Sequence, residues 1–154
     1  MPRIRERLAE LGLSLPAAPR PVASYVPSVR AGDLVFISGQ IPMREGKLLA
    51  AGPVPSKVSP EAARHAARQC ALNALAVLAE GLSGDLDRVR RIVRLGVFVA
   101  SDPGFEGQPQ VANGASDLLV EIFGEAGRHA RAAVGSIALP LGATVELEMV
   151  AQVG

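Results

Sequence analysis

The C-terminal stretch HARAAVGSIALPLGATVELEMVAQV, His129 to Val153, decides how this chain is read. Two runs of strand character flank LPLG. In the second, Val145, Leu147, Met149 and Ala151 alternate with Glu146, Glu148, Val150 and Gln152. Successive side chains of a strand point to opposite faces, so the first set faces a core. The second set puts two carboxylates beside aliphatic side chains on the far face. Such a mixture suits a subunit interface around a polar pocket; simple exposure of both glutamates is the equal alternative. Arg131 opens the preceding run. Its rigid fork of donors suits a carboxylate ligand. From spacing alone, however, the favoured expectation is that Arg131 pairs with Glu146 or Glu148 across a hairpin.

Upstream, VANGASDLLVEIFGEAG has helical periodicity, SDPGFEGQPQ is a loop, and DLDRVRRIVRLGVFVAS is a strand. Ser59-Pro60-Glu61 carries the signature of a helix start, with Ser as cap and Pro in the first turn. That helix is expected to run to about Leu82. Its stripe of Ala63, Ala66, Ala67, Cys70, Ala74, Val77 and Leu78 is smooth enough to lie close on a sheet. The segment MREGKLLAAGPVPSKVS is irregular, with one short strand at 47–49. VASYVPSVRAGDLVFISGQIP gives two strands joined at Ala31-Gly32-Asp33, LVFIS being apolar enough for a central position. Residues 2–11 repeat Ile4, Leu8 and Leu11 at helical spacing, and PAAPRP is a linker. The order is ββ(β)αβαββ. It predicts an α+β two-layer domain over 22–154, with a mixed sheet and two helices on one face, preceded by a helix and Pro-rich linker over 1–21.

The length, 154 residues, suits one domain with its own core. Sixteen basic and fifteen acidic residues leave a net charge of +1, which gives no footing for nucleic acid. The N-terminus lacks the apolar centre of a signal peptide, and no segment has the unbroken apolar length of a membrane span, so no membrane partner is expected. The single Cys70 forms no internal disulfide, and with no Cys or His cluster there is no zinc ligand set. A cytoplasmic protein without metal or cofactor is the expectation.

VRAGDLVFISGQIP (Val29 to Pro42) together with RAAVGSIALPLGATVELE (Arg131 to Glu148) resembles the Rid family. These are the reactive-intermediate deaminases, also called YjgF-like and, in older naming, the L-PSP endoribonuclease family. The resemblance covers most of the chain after about residue 22. It implies a chorismate-mutase-like fold, assembled as a homotrimer with active sites in clefts between subunits. It implies roles for residues too. Arg131 matches the arginine that binds the substrate carboxylate, and Glu146 the glutamate that positions the attacking water. Tyr25 matches a tyrosine supplied by a neighbouring subunit, Ser38 and Gly39 the small residues that approach the ligand, and Asn113 an asparagine at the start of the second helix. Ala133, which the resemblance also places among the substrate-binding positions, stands where the family often has Cys, which argues against thiol chemistry. His129 stands where Pro is common; it is either an added acid or base or, by the more ordinary expectation, a solvent-facing loop residue. His65 is expected to be structural or exposed, and Leu141 replaces a frequent Lys.

The implied activity is hydrolytic deamination of reactive enamine or imine intermediates to 2-keto acids and ammonia. The alternative is a non-catalytic trimer that binds a small carboxylate metabolite. Ribonuclease activity, suggested by the older family name, is disfavoured by the neutral charge and the scarcity of aromatic residues.

Overall fold

The computed structural model describes residues 3–20 and 23–154, so the expected domain boundary between 21 and 22 lies outside the described residues. The elements in chain order are helix α1 (Ile4–Glu10), strands β1 (Ser28–Ala31), β2 (Leu34–Gln40), β3 (Met43–Arg44) and β4 (Lys47–Leu48), helix α2 (Pro60–Gly81), strand β5 (Val89–Ala100), helix α3 (Gln108–Phe123), and strands β6 (Ala130–Ser136) and β7 (Val145–Val153). The irregular middle segment thus carries a small hairpin, β3–β4, where a single short strand was expected. Glu45 and Gly46 make its turn, both with positive φ.

The main sheet has the order β1-β2-β7-β5-β6. β6 runs parallel to β5 and every other pairing is antiparallel, so the sheet is mixed as expected. The hairpin expected between the last two strands does not exist. β5 lies between them. The reason is α3, whose passage across the helix layer delivers β6 to the outer edge of β5 in the same direction. β7 then returns and inserts between β2 and β5, where both of its edges are hydrogen-bonded. Pairing neighbours in sequence is a sound default, but here the connecting helix overrides it.

All of Val145, Leu147, Met149, Ala151 and Val153 are buried, while the residues between them are half-exposed, as the alternation predicted. They meet α2 and α3, which cover one face. The Ser59 hydroxyl accepts the Ala62 N–H at 3.1 Å and Pro60 occupies the first turn, so α2 starts where its sequence says. Its alanine stripe is completely buried, and a Cβ at Gly114 of α3 would stand 1.9 Å from the Arg64 carbonyl oxygen. Only glycine permits that helix contact. Cys70 is buried in this core, and burial pushes its thiol well above the ordinary range.

α1 joins the same layer. The Ile4 N–H donates to Asp87 at 2.8 Å and Arg7 Nε to the Glu121 carbonyl of α3 at 2.9 Å, so the N-terminal helix docks on its own chain. No described helix covers the other face of the sheet. Val29, Phe36 and Val134 are about half exposed there, around the Arg94–Glu148 ion pair at 3.2 Å. Glu148 therefore pairs with β5 and not with Arg131. None of the described helices is long and apolar enough to cross a membrane.

Candidate functional site: two half-sites on opposite faces of the sheet

Arg131 lies on the edge strand β6 opposite Leu95, whose side chain is buried under the helices. Its side chain therefore leaves from the helix-bearing face and meets α3. Arg131 Nη1 donates to Asn113 Oδ1 at 2.7 Å and to Ser116 Oγ at 3.1 Å. Asn113 and Ser116 are three residues apart on one helix face, which explains why a single nitrogen reaches both. Ala133, two residues along the same strand, is half-buried against the core and brings no polar group to the ligand side.

Behind Ser116 stands His129. Its Nδ1 is 2.6 Å from the Gly127 carbonyl oxygen and its Nε2 is 2.9 Å from Ser116 Oγ. A carbonyl oxygen only accepts, so Nδ1 carries the proton and neutral Nε2 accepts from the Ser116 hydroxyl. Burial holds the His129 pKa below the usual histidine value; the nearby Arg131 charge pushes the same way, against the opposing pull of the Gly127 carbonyl. The expectation of a solvent-facing loop histidine is thus corrected: the ring is half-buried, and both nitrogens are engaged.

Glu146 lies on the opposite, uncovered face, where its strand partner is Phe98. Burial raises its pKa, and the negative charge of Glu148 two residues on raises it further. Gly39 faces it. A Cβ at that position would lie 2.9 Å from Glu146 Cδ, closer than real side chains approach, so the glycine makes room for the carboxylate. The register of β2 shifts between Ile37 and Gln40, a bulge that brings Ser38 and Gly39 to this place. The Ser38 hydroxyl donates to the Val26 carbonyl at 2.7 Å, and its N–H donates to the Pro27 carbonyl at 2.9 Å. Ser38 thereby ties down the segment that carries Tyr25, which is half exposed.

Tyr25, Gly39 and Glu146 border a cleft of about 1130 Å³. Leu13 and Pro16 from the N-terminal segment, Leu141 from the turn before β7, and the exposed His65 of α2 complete its walls. The expected site residues thus fall into two groups, Arg131 with Asn113 and Ala133, and Glu146 with Tyr25, Ser38 and Gly39. One chain does not bring the groups together. Sequence reasoning missed Ser116, and the signal that could have found it is its i+3 spacing from Asn113. Among the described residues no group of three or more His, Cys, Asp or Glu side chains could hold a metal ion.

A mixed sheet with helices on one face and an uncovered far face is the architecture of the chorismate-mutase-like α+β domains. Residues 5–153 match the family model described as "YjgF/chorismate mutase-like, putative endoribonuclease", and the chain belongs to that family, the Rid proteins. It is 45% identical to the protein TCP17 of Trypanosoma cruzi over 147 residues, 95% of this chain and 91% of that one. It is 29% identical to the 2-iminobutanoate/2-iminopropanoate deaminase of Dermatophagoides farinae over 140 residues, 90% of this chain and 92% of the mite protein. Among solved structures, Atu1372 of Agrobacterium tumefaciens, a protein of unknown function, superposes with a TM-score of 0.92 at 46% identity, covering 98% of this chain and 92% of that one.

Proposed function

We propose that the protein hydrolyses reactive enamine and imine intermediates to 2-keto acids and ammonia, in clefts formed between the subunits of a homotrimer. The observation that carries this reading is the separation of Arg131 from Glu146 by the thickness of the sheet. Each group alone is half of a site for an α-imino acid, and a neighbouring chain seated on the uncovered sheet face supplies the other half. The apolar exposure of Val29, Phe36 and Val134 supports such an assembly.

In this site Arg131 binds the substrate carboxylate. Its Nη1 hydrogens are taken by Asn113 and Ser116, which leaves the Nε and Nη2 edge to form two parallel hydrogen bonds. Glu146 holds a water against the imine carbon and takes its proton as the C–O bond forms. A carboxylate with a raised pKa is the better base for that step. Glu146 returns that proton to the imine nitrogen to give the carbinolamine. The hydroxyl proton then passes by way of Glu146 to the amino group, the C–N bond breaks, ammonia leaves and the C=O of the 2-keto acid remains. An enamine enters by tautomerising to the imine. Tyr25 closes the cleft and excludes bulk water. Water is the nucleophile, so Ala133 in the usual cysteine position is no obstacle. The naming of the mite relative as an iminobutanoate deaminase agrees with this chemistry, and the lone buried Cys70 agrees with a cytoplasmic home.

An amino-acid oxidase that generates imines from several amino acids, coupled to detection of 2-keto acid, tests the proposal. Wild type should accelerate release, and Arg131→Ala should lose about a hundredfold in kcat/KM while keeping its oligomeric state. Equal activity in the variant would remove the assignment. Binding of a 2-keto acid without turnover of any imine would instead support a carboxylate-binding trimer, a reading favoured by the N-terminal wall of the cleft.

A further inference from the structure

The guanidinium of Arg131 is held by a hydrogen-bonded chain that the reaction itself does not require. Among the described residues, Arg131 Nη1 gives its hydrogens to Asn113 and Ser116, and nothing takes those of Nε and Nη2. Ser116 is the link. A serine inside a helix ordinarily turns to solvent or bonds back to a carbonyl of the preceding turn, but this hydroxyl bridges to His129 Nε2 at 2.9 Å. The imidazole cannot offer it a proton, because its one N–H goes to the Gly127 carbonyl at 2.6 Å. The Ser116 hydrogen must therefore point to His129, and its lone pairs are left to receive Arg131. The three hydrogen bonds thus run one way, from Arg131 to Ser116 to His129 to the backbone.

We propose that His129 and Ser116 are positioning residues for Arg131. The imidazole fixes the rotation of the Ser116 hydroxyl, the hydroxyl and Asn113 fix Nη1, and the Nε–Nη2 edge is thereby aimed away from the helix towards the carboxylate of the ligand. This rests on the reading that Arg131 binds a carboxylate. An arginine side chain that is free to sample many rotamers loses that freedom when it binds; one already held in place loses less. His129 thus supplies an acceptor at Nε2 that an apolar side chain at this position could not.

The test is calorimetric binding of pyruvate, a 2-keto acid of the product class, together with imine turnover. Ser116→Ala and His129→Ala should each weaken pyruvate binding about tenfold, the loss expected for one hydrogen bond to a charged group. In turnover, KM should rise by more than kcat falls. His129→Gln, whose amide oxygen can replace Nε2 as the acceptor, should recover most of the affinity. In the Arg131→Ala background, Ser116→Ala should cost nothing further. Unchanged binding in Ser116→Ala, or an equal loss with Arg131 already removed, would overturn the proposal. If Arg131→Ala itself leaves pyruvate binding intact, the carboxylate reading fails instead. The positioning claim is then read from the Arg131 Nε–H resonance, which Ser116→Ala should shift and broaden; an unaltered signal would defeat it.

Discussion

The two half-sites of this chain are built by opposite means. Around Arg131 polar contacts run in series: Nη1 of the guanidinium to Asn113 and Ser116, the serine to His129, the histidine to the backbone. Around Glu146 there are few polar partners. A bulged strand, a glycine and an open cleft give the carboxylate room, and burial beside a like charge raises its pKa. The contrast suits the roles proposed for the two groups. A cation that must hold a ligand in one orientation gains from being fixed beforehand, whereas a base that must take up a proton gains from poor solvation of its charged form.

Separating the halves should have the largest effect. Phe36→Asp places a charge in the middle of the uncovered sheet face, on the side away from the core, and should leave a folded but dissociated chain with deamination lost. Sedimentation and the coupled assay read the two outcomes, and a trimer that survives with full activity would mean that this face is not the interface. Next comes the base. Glu146→Gln should lower turnover about a hundredfold, as for loss of a positioned proton acceptor, while raising the melting temperature near neutral pH. The sign follows from the raised pKa: the folded chain holds a proton on Glu146 that the unfolded chain has already released. Wild-type stability contributed by this group therefore falls as pH rises from the unfolded carboxylate range through the folded value. The gap between variant and wild type should close in acid; a melting temperature unmoved by the substitution at all pH values would contradict the origin given for the shift. The smallest effect belongs to Gly39→Ala. Its Cβ would crowd Glu146 Cδ at 2.9 Å, so the carboxylate must turn aside. Stability should drop by about 1 kcal/mol, with turnover reduced several-fold and pyruvate affinity retained.

The burial pattern of β7, the α2 start at Ser59 and the covering of one sheet face by α2 and α3 could all be read from periodicity and capping, because each is decided within a few residues of sequence. The place of β7 could not. Whether a strand pairs with its sequence neighbour or inserts elsewhere depends on what the connecting helix does in three dimensions, and the expected pairing of Arg131 with Glu146 or Glu148 across a hairpin failed for that reason. Family resemblance named Arg131, Asn113, Glu146, Tyr25, Ser38 and Gly39, and the structure adds which of them keep company. Ser38 ties down the Tyr25 segment through the Val26 and Pro27 carbonyls, and Ser116 bridges to His129; neither partnership lies within one helical turn or strand repeat, so no periodicity marks it.

The insertion of β7 between β2 and β5 has a consequence for how the protein is made. As the chain leaves the ribosome, β1, β2, both long helices, β5 and β6 all emerge before the strand that joins the two parts of the sheet. Until β7 is synthesised, the facing edges of β2 and β5 have no partner and their apolar sides have nothing to close against. Such edges are the ones that attract other nascent chains. Folding of this domain is therefore expected to complete only after β7 has cleared the ribosome, and stalled or truncated products lacking it should be selected for chaperone binding and degradation.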